Sequence, residues 1–304
     1  MSVTALRKQN PNLLVLLSVG GWSGSKYFSD VAATSRARKR FSKSCLQIVG
    51  KYGLDGLDID WEYPVTGGKP TDHKRRSDRE NFVLLLRHVR SDLDEFGHGR
   101  HILLTVASTG YRNHLDDLAL KEMSEVLDWF NLMGYDFNEM QPKLTAHHSG
   151  LFGWSGSNLD SKAAKYANSD AAVQWYLDRG VPPGKILLGV PFYGQVWAKV
   201  LDQNDGLYQP YERRPGEDGT LSYREIEESY VPRYTRHWDD QAKVPWLYNA
   251  KTEIMISYED PESIAVKAKY VIQKGLGGMM FWDLGQDDRK STLLHVIHTE
   301  LARN

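Results

Sequence analysis

Between positions 55 and 64 the chain reads Asp55-Gly-Leu-Asp-Ile-Asp-Trp-Glu-Tyr-Pro64, a row of acids interleaved with large apolar residues. Side chains of an extended strand alternate between its two faces, so Asp58, Asp60 and Glu62 share one face and Leu57, Ile59 and Trp61 the other. Carboxyls crowded on one strand cannot all ionise, because each new charge raises the cost of the next. Shared protons and raised pKa values follow. Such a row suits an acid catalyst, and less often a hard metal ion. The acids lack the calcium-loop pattern with its glycine at the sixth position, and no His/Cys spacing suggests zinc, so neither a metal nor a cofactor is expected.

A row of acids works only if rigid elements aim it. Hydrophobic patterning predicts strands at 13–19, 55–62, 101–107, 129–135, 185–192 and 277–283, with the strand at 185 running on to 194. The first is a continuous apolar run of the kind buried on both faces of a parallel sheet. Helical periodicity marks about 2–9, 35–51, 78–96, 115–127, 161–179, 262–274 and 290–302. Alternating strands and helices indicate α/β with a parallel sheet, and short repeated units favour a (β/α) barrel. The polar and aromatic residues fall at strand ends: Gly20 to Trp22, Asp60 to Tyr63, Tyr135 and Asp136, Phe192 and Tyr193, and Trp282. Residues 200–255 break the rhythm and read as an α+β insertion, with a capped short helix near 220–227 and strands near 244–248 and 253–258. In the Gly/Ser/His-rich loop at 147–158, His147 and His148 read as ordinary loop histidines.

Composition bounds the rest. The 304 residues can build one large domain, and a net charge of −1 gives no bulk attraction to nucleic acid or anionic membrane. The basic run Arg36–Arg40 reads as a solvated helix face. Cys45 is the sole cysteine, so no intrachain disulfide framework exists, and a buried, inert thiol is expected. No apolar run reaches the length of a membrane span, and the first nine residues lack the apolar core of a signal peptide. Nine Trp and sixteen Tyr leave a surplus of flat rings suited to stacking on sugars or bases.

The motifs carry a resemblance. Asp55-x-x-Asp58-x-Asp60-x-Glu62, Ser18-Val-Gly-Gly21, Met133-Gly-Tyr-Asp136 and Phe281-Trp-Asp-Leu-Gly-Gln-Asp287 resemble the motifs of family 18 glycoside hydrolases, the chitinases. The inserted segment with Ser222-Tyr-Arg224 is similar to that of the subfamily containing an α+β insertion. The resemblance implies a (β/α)8 TIM-type barrel over 1–199 and 256–304, apparently incomplete because strands one and two are missing, with the α+β insertion domain at 200–255 before the last strand. The absent first strand would carry an aromatic that packs against the acids. Gln141 stands where many relatives have Trp.

The resemblance further implies hydrolysis of β-1,4 bonds between N-acetylglucosamine units, with retention through substrate-assisted catalysis, a known exception to the two-carboxylate scheme. Glu62 would be the general acid, needing a pKa raised by its neighbours. Asp60 would stabilise the positive charge of the acetamido group, Asp58 would share a proton with Asp60, and Tyr135 would align the acetamido oxygen. Substrate binding falls to Trp22, Tyr63, Met133, Asp136, Tyr193, Tyr223, Arg224 and Trp282. Asp55 is expected to be structural and Trp61 to pack behind the strand. The expected partner is chitin or its oligosaccharides, with no nucleic acid or membrane, and with a second copy covering the open barrel edge as a homodimer. The expected location is extracellular. Competing readings are a chitin-binding lectin with weak or no activity, a hydrolase of N-glycans, and a metal-dependent carboxylate enzyme.

Overall fold

The computed structural model describes residues 3–140, 142–154, 161–215 and 219–303; Gln141 lies outside the described residues, as does part of the loop at 147–158. In chain order the strands are β1 (Leu16–Gly20), β2 (Gly56–Asp60), β3 (Leu103–Thr109), β4 (Trp129–Met133), β5 (Ile186–Pro191) and β6 (Tyr193–Ala198). There follow β7 (Thr220–Ser222), β8 (Thr235–Asp239), β9 (Val244–Asn249), β10 (Ile254–Ser257) and β11 (Gly278–Trp282). A six-stranded sheet has the order β1-β2-β3-β4-β5-β11, and a five-stranded antiparallel sheet has the order β7-β6-β10-β9-β8. The six-stranded sheet is built from the six strands expected from the sequence, and its pairings β1–β2, β2–β3 and β5–β11 are parallel. The described residues form no closed barrel: β1 and β11 each have one neighbour.

The chain divides into two compact units. The first comprises Met1–Thr109, Asn113–Asn131 and Arg179–Lys185; the second comprises Gly110–Arg112, Leu132–Asp178 and Ile186–Asn304. In the first unit, β2 puts Leu57 and Ile59 into a core from which solvent is almost wholly excluded. Burying side chains of that size contributes roughly 1.5–3 kcal/mol each. Trp61 joins them, stacked on Phe28 with ring centroids 5.5 Å apart and edge-on to Phe82 at 5.1 Å. The long helices Ser35–Tyr52 and Asp78–Gly97 pack their apolar faces here, Cys45 and Val49 from one and Phe82, Leu85, Leu86, Val89 and Leu93 from the other. Gly53 ends the first helix in the left-handed conformation.

In the second unit two apolar clusters frame the antiparallel sheet. One gathers Val190, Phe192, Tyr223, Leu247, Ile256, Ile264 and Leu293; the other gathers Trp197, Tyr208, Trp246, Tyr248 and Met255. Lys267 and Glu259 form an ion pair sealed from solvent, with Lys267 also donating to the Ser149 carbonyl and Ser263 donating to Glu259 at 2.6 Å. Burial pushes the Lys267 ammonium down.

Several expectations are corrected. The strand expected at 55–62 stops at Asp60, leaving Glu62 just beyond its end. The strand expected at 185–194 is two strands, because the chain leaves one sheet at Pro191 and enters the other at Tyr193. The first strand is not buried on both faces: it is an edge, and Leu14 beside it is 56% exposed. The helix at 161–179 breaks before Ser169, where the Asn168 side chain accepts from the Ala171 N–H at 2.9 Å and starts a new helix. The stretch 115–127 holds only the short helix Leu120–Ser124, after a turn at Arg112–Leu115, and 3–8 is a 3-10 helix. The capped helix expected near 220 is present: it starts at Tyr223 behind a capping box on Ser222 and continues, through a π-helical stretch at Ile226–Tyr230, to Arg233. The polar strand β8 had no apolar alternation to announce it. Among the described residues no helix is long and apolar enough to cross a membrane.

Candidate active site

The acid row of the first unit is held by its neighbouring strands. Register places Ser18 on β1 and Thr105 on β3 opposite Asp58. Their hydroxyls donate to its two carboxyl oxygens at 2.8 and 2.6 Å, and Asn131 on β4 adds an amide bond at 3.1 Å. Asp58 is therefore buried with three donors on its two oxygens, which anchor the row and leave room for one further proton.

Asp60 is different. Its Oδ1 is buried without a hydrogen-bond partner among the described residues. Burial pushes its carboxyl up to about 8, with repulsion from Glu62 and Asp58 adding to the shift. The sequence asks for a raised pKa at Glu62; the raised group in the structure is its neighbour Asp60. A half-buried acid with a raised pKa and an open oxygen has the chemistry of a proton donor near neutral pH.

The chain around Asp60 explains the Ser-x-Gly-Gly motif. Gly20 and Gly21 have φ of +124° and +81°, and the Gly21 N–H donates to the Asp60 carbonyl at 2.8 Å. A Cβ on Gly20 would sit 1.9 Å from that carbonyl oxygen, and one on Gly21 would meet the Asp60 carboxyl at 3.5 Å. The buried hydroxyl of Ser25 donates back to the Gly21 and Asp60 carbonyls at 3.0 and 3.2 Å and accepts the Glu62 N–H at 2.9 Å. This knot fixes where Glu62 leaves the strand. Glu62 is half-buried and joined to Tyr63 by a cis peptide bond. Tyr63 stacks on His114 at 4.7 Å, His114 meets Thr66 at 3.2 Å, and Thr66 donates to Asp117. A cavity of about 240 Å³ is lined by Trp61, Tyr63, Ser108, Thr109 and His114 among others. Trp22 is 49% exposed just beyond β1. Asp55 is structural as expected: it accepts the Val15 N–H at 2.8 Å and pairs with Arg7 and Arg100.

A second cluster lies at the end of β4 in the second unit. Asp136 takes a left-handed φ of 62°, and its carbonyl accepts from the Tyr111 hydroxyl. Its carboxylate accepts from Tyr193 at 2.7 Å and from the Gln195 amide at 2.7 Å, with His148 Nδ1 3.5 Å away. Burial alone would push this acid up, but His148, Tyr193 and Gln195 together hold it below the usual carboxylate range. Tyr135 is buried edge-on to Tyr193, ring centroids 6.1 Å apart, and Met133 is half-buried at the end of β4. Trp282, at the end of β11, is 56% exposed and precedes a cis peptide bond.

Two expected binding residues are placed elsewhere. Tyr223 belongs to the apolar core, packed among Phe192, Ile226 and Tyr258. Arg224 donates to the carbonyls of Gly285 and Asp287 at 3.4 and 3.0 Å, tying down the loop after β11. A larger cavity of about 360 Å³, lined by Phe137, His147, Trp154 and Tyr208 among others, includes none of the expected site residues.

Thr105, Asn131, Ser25, Tyr111, Gln195 and His148 were not anticipated. Strand register would have found Thr105, and period-two spacing from Tyr193 would have found Gln195. The two histidines are not ordinary loop residues: His147 pairs with Asp239 at 3.0 Å, and His148 faces Asp136.

A row of carboxyls on one parallel strand, one of them with a raised pKa, is an arrangement suited to acid catalysis. The chain belongs to glycosyl hydrolases family 18, whose family model matches residues 1–287. The family's fold is a TIM-type barrel. Over 305 residues the chain is 41% identical to chitinase A1 of Niallia circulans, covering 97% of this chain and 44% of that protein. A chitinase from Bacillus thuringiensis superposes with a TM-score of 0.92 at 37% identity, over 99% of this chain and 52% of that one. A family 18 N-acetylglucosaminidase from Paenibacillus barengoltzii gives a TM-score of 0.89 at 36% identity, over 98% of this chain and 86% of that one.

Proposed function

We propose that the chain hydrolyses β-1,4 linkages between N-acetylglucosamine units of chitin or chitooligosaccharides, with retention of configuration through substrate-assisted catalysis. The observation that carries this is the succession Asp58, Asp60, Glu62, with Asp58 anchored by three donors and Asp60 kept neutral to about pH 8. Relatives named as chitinases support the choice of substrate.

Glu62 protonates the glycosidic oxygen, breaking the C–O bond as the acetamido oxygen of the same sugar closes on the anomeric carbon. Asp60 faces the acetamido N–H. As that group becomes cationic, the acidity of Asp60 rises, and its proton moves to Asp58. Water then opens the oxazolinium ring, returning its proton to Glu62. Tyr135 aligns the acetamido oxygen, Asp136 and Tyr193 anchor polar groups of the sugar, and Trp282 forms the floor beneath it. Trp22, Tyr63 and Met133 complete the binding surface. Residues 200–255 form an insertion that deepens the cleft. Since chitin is an insoluble polymer, the reaction takes place outside the cell.

Release of fluorophore from a chitobioside tests the reading. Wild type is expected to be active, and Glu62→Gln to lose on the order of 10²–10⁴-fold in kcat. Equal release by both would overturn it. A single N-acetylglucosaminide substrate run alongside separates chitinase from N-acetylglucosaminidase action.

A further inference from the structure

The second unit holds a buried histidine that the reaction above does not use. His148 is sealed from solvent. Its main chain is fixed at both ends: its N–H donates to Ser257 Oγ at 3.1 Å, and its carbonyl accepts the Phe137 N–H at 3.0 Å. Neither ring nitrogen has a hydrogen-bond partner among the described residues, a costly condition for a buried imidazole. The ring is aimed at one carboxylate. Nδ1 lies 3.5 Å from Asp136 Oδ1, and the ring centroid is 5.3 Å from that of Tyr193, which bonds Oδ2 of the same group. Gln195 bonds Oδ1 through its amide nitrogen, while its own Oε1 is buried without a partner among the described residues.

Asp136 is thus bonded to neutral donors and stands a few tenths of an ångström beyond hydrogen-bond reach of an imidazole whose nitrogens are unused. A histidine kept only for packing would not leave both nitrogens bare beside a carboxylate, where an apolar side chain would cost less.

We infer that His148 is a positioning residue for Asp136: its ring becomes the carboxylate's hydrogen-bond partner when Oδ1 leaves Gln195 to accept from a bound sugar. The inference rests on the assignment of Asp136 to substrate binding. The other groups facing Asp136 are Tyr193 and Tyr111, with Tyr135 edge-on to Tyr193; Glu139, pushed up first by burial and then by Asp136, has Arg214 as its own counter-charge. Among these, His148 is the group whose ring nitrogen faces Asp136 Oδ1 with no hydrogen bond of its own among the described residues.

The test compares wild type with His148→Asn, which keeps a hydrogen-bond donor, and His148→Phe, which keeps the volume only. The kcat and KM for a chitobioside are measured from about pH 4 to 9, and the Asp136 carboxyl is titrated by carbon NMR. Both variants are expected to lose about tenfold or more in kcat/KM at pH 6. The acid limb and the carboxyl midpoint are expected to move to higher pH by about one unit, and Asn should recover part of the loss seen with Phe. Folded variants with an unmoved acid limb and an unmoved midpoint, whatever their kcat, would overturn the inference. If wild type were inactive on every chitooligosaccharide, the functional reading would fail, and the carboxyl midpoint would still decide the role of His148. Should the Phe variant not fold, the Asn variant alone decides.

Discussion

Asp60 costs the protein stability in a way that can be measured. Its folded-state pKa, about 8, lies above the ordinary 3.8 because burial, then Glu62 and Asp58, oppose its ionisation. Between those values the folded chain holds a proton that the unfolded chain has released. Stability from this group is therefore full below about pH 4 and declines by about 1.4 kcal/mol per pH unit until about pH 8. Urea unfolding of wild type and Asp60→Asn at pH 5, 6 and 7 should show this slope in the first and lose it in the second. Parallel slopes would mean that Asp60 is ionised in the folded state. The same titration predicts that activity falls as pH rises through about 8, where Asp60 loses the proton it is proposed to pass on. Arg224→Ala, at a residue placed on backbone carbonyls, should leave KM within about twofold while lowering stability by about 1–3 kcal/mol, read from kinetics and urea unfolding.

At the scale of elements, the turn after β1 is as much a part of the acid row as the acids are. Gly20→Ala would place a methyl group against the Asp60 carbonyl and demand a φ that side-chain-bearing residues avoid. It should cost on the order of 3 kcal/mol or more and abolish activity through displacement of Asp60, seen as a lowered melting temperature together with lost turnover. A melting temperature equal to wild type would show that the turn relaxes freely. The sequence made the six parallel strands legible because apolar runs of that length have few other uses, and it made the acid row legible because alternation is a local property. It left Thr105 and Asn131 hidden, since their part is set by register between strands far apart in the chain. The break at Phe192 was hidden for a related reason: the run Lys185–Gly194 is apolar almost throughout, so patterning alone gives no sign that it changes sheets. Tyr223 reads as a binding residue through the resemblance carried by Ser222-Tyr-Arg224, whereas its burial in the core depends on what Phe192 and Ile256 bring to it.

At the scale of the molecule, β1 presents an outer edge with no strand beside it among the described residues, and Leu14 next to it is exposed. Unpaired edges invite pairing with another chain. The 304-residue chain should therefore associate as concentration rises, checked by light scattering; one mass at every concentration would remove that expectation. The sheet change at Phe192 has a different outcome, one that concerns protein engineering. Tyr193 is the first residue of β6 and registers with Ser222 on β7, while Gln195 registers with Thr220 on β7 and Ser257 on β10. These are the two side chains that grip Asp136. The antiparallel segment is therefore no detachable module: excising 200–255, or grafting another enzyme's version in its place, would loosen the strand from which Asp136 is held. Transplants between family members should succeed only when β6 and the Asp136 loop travel together with the segment.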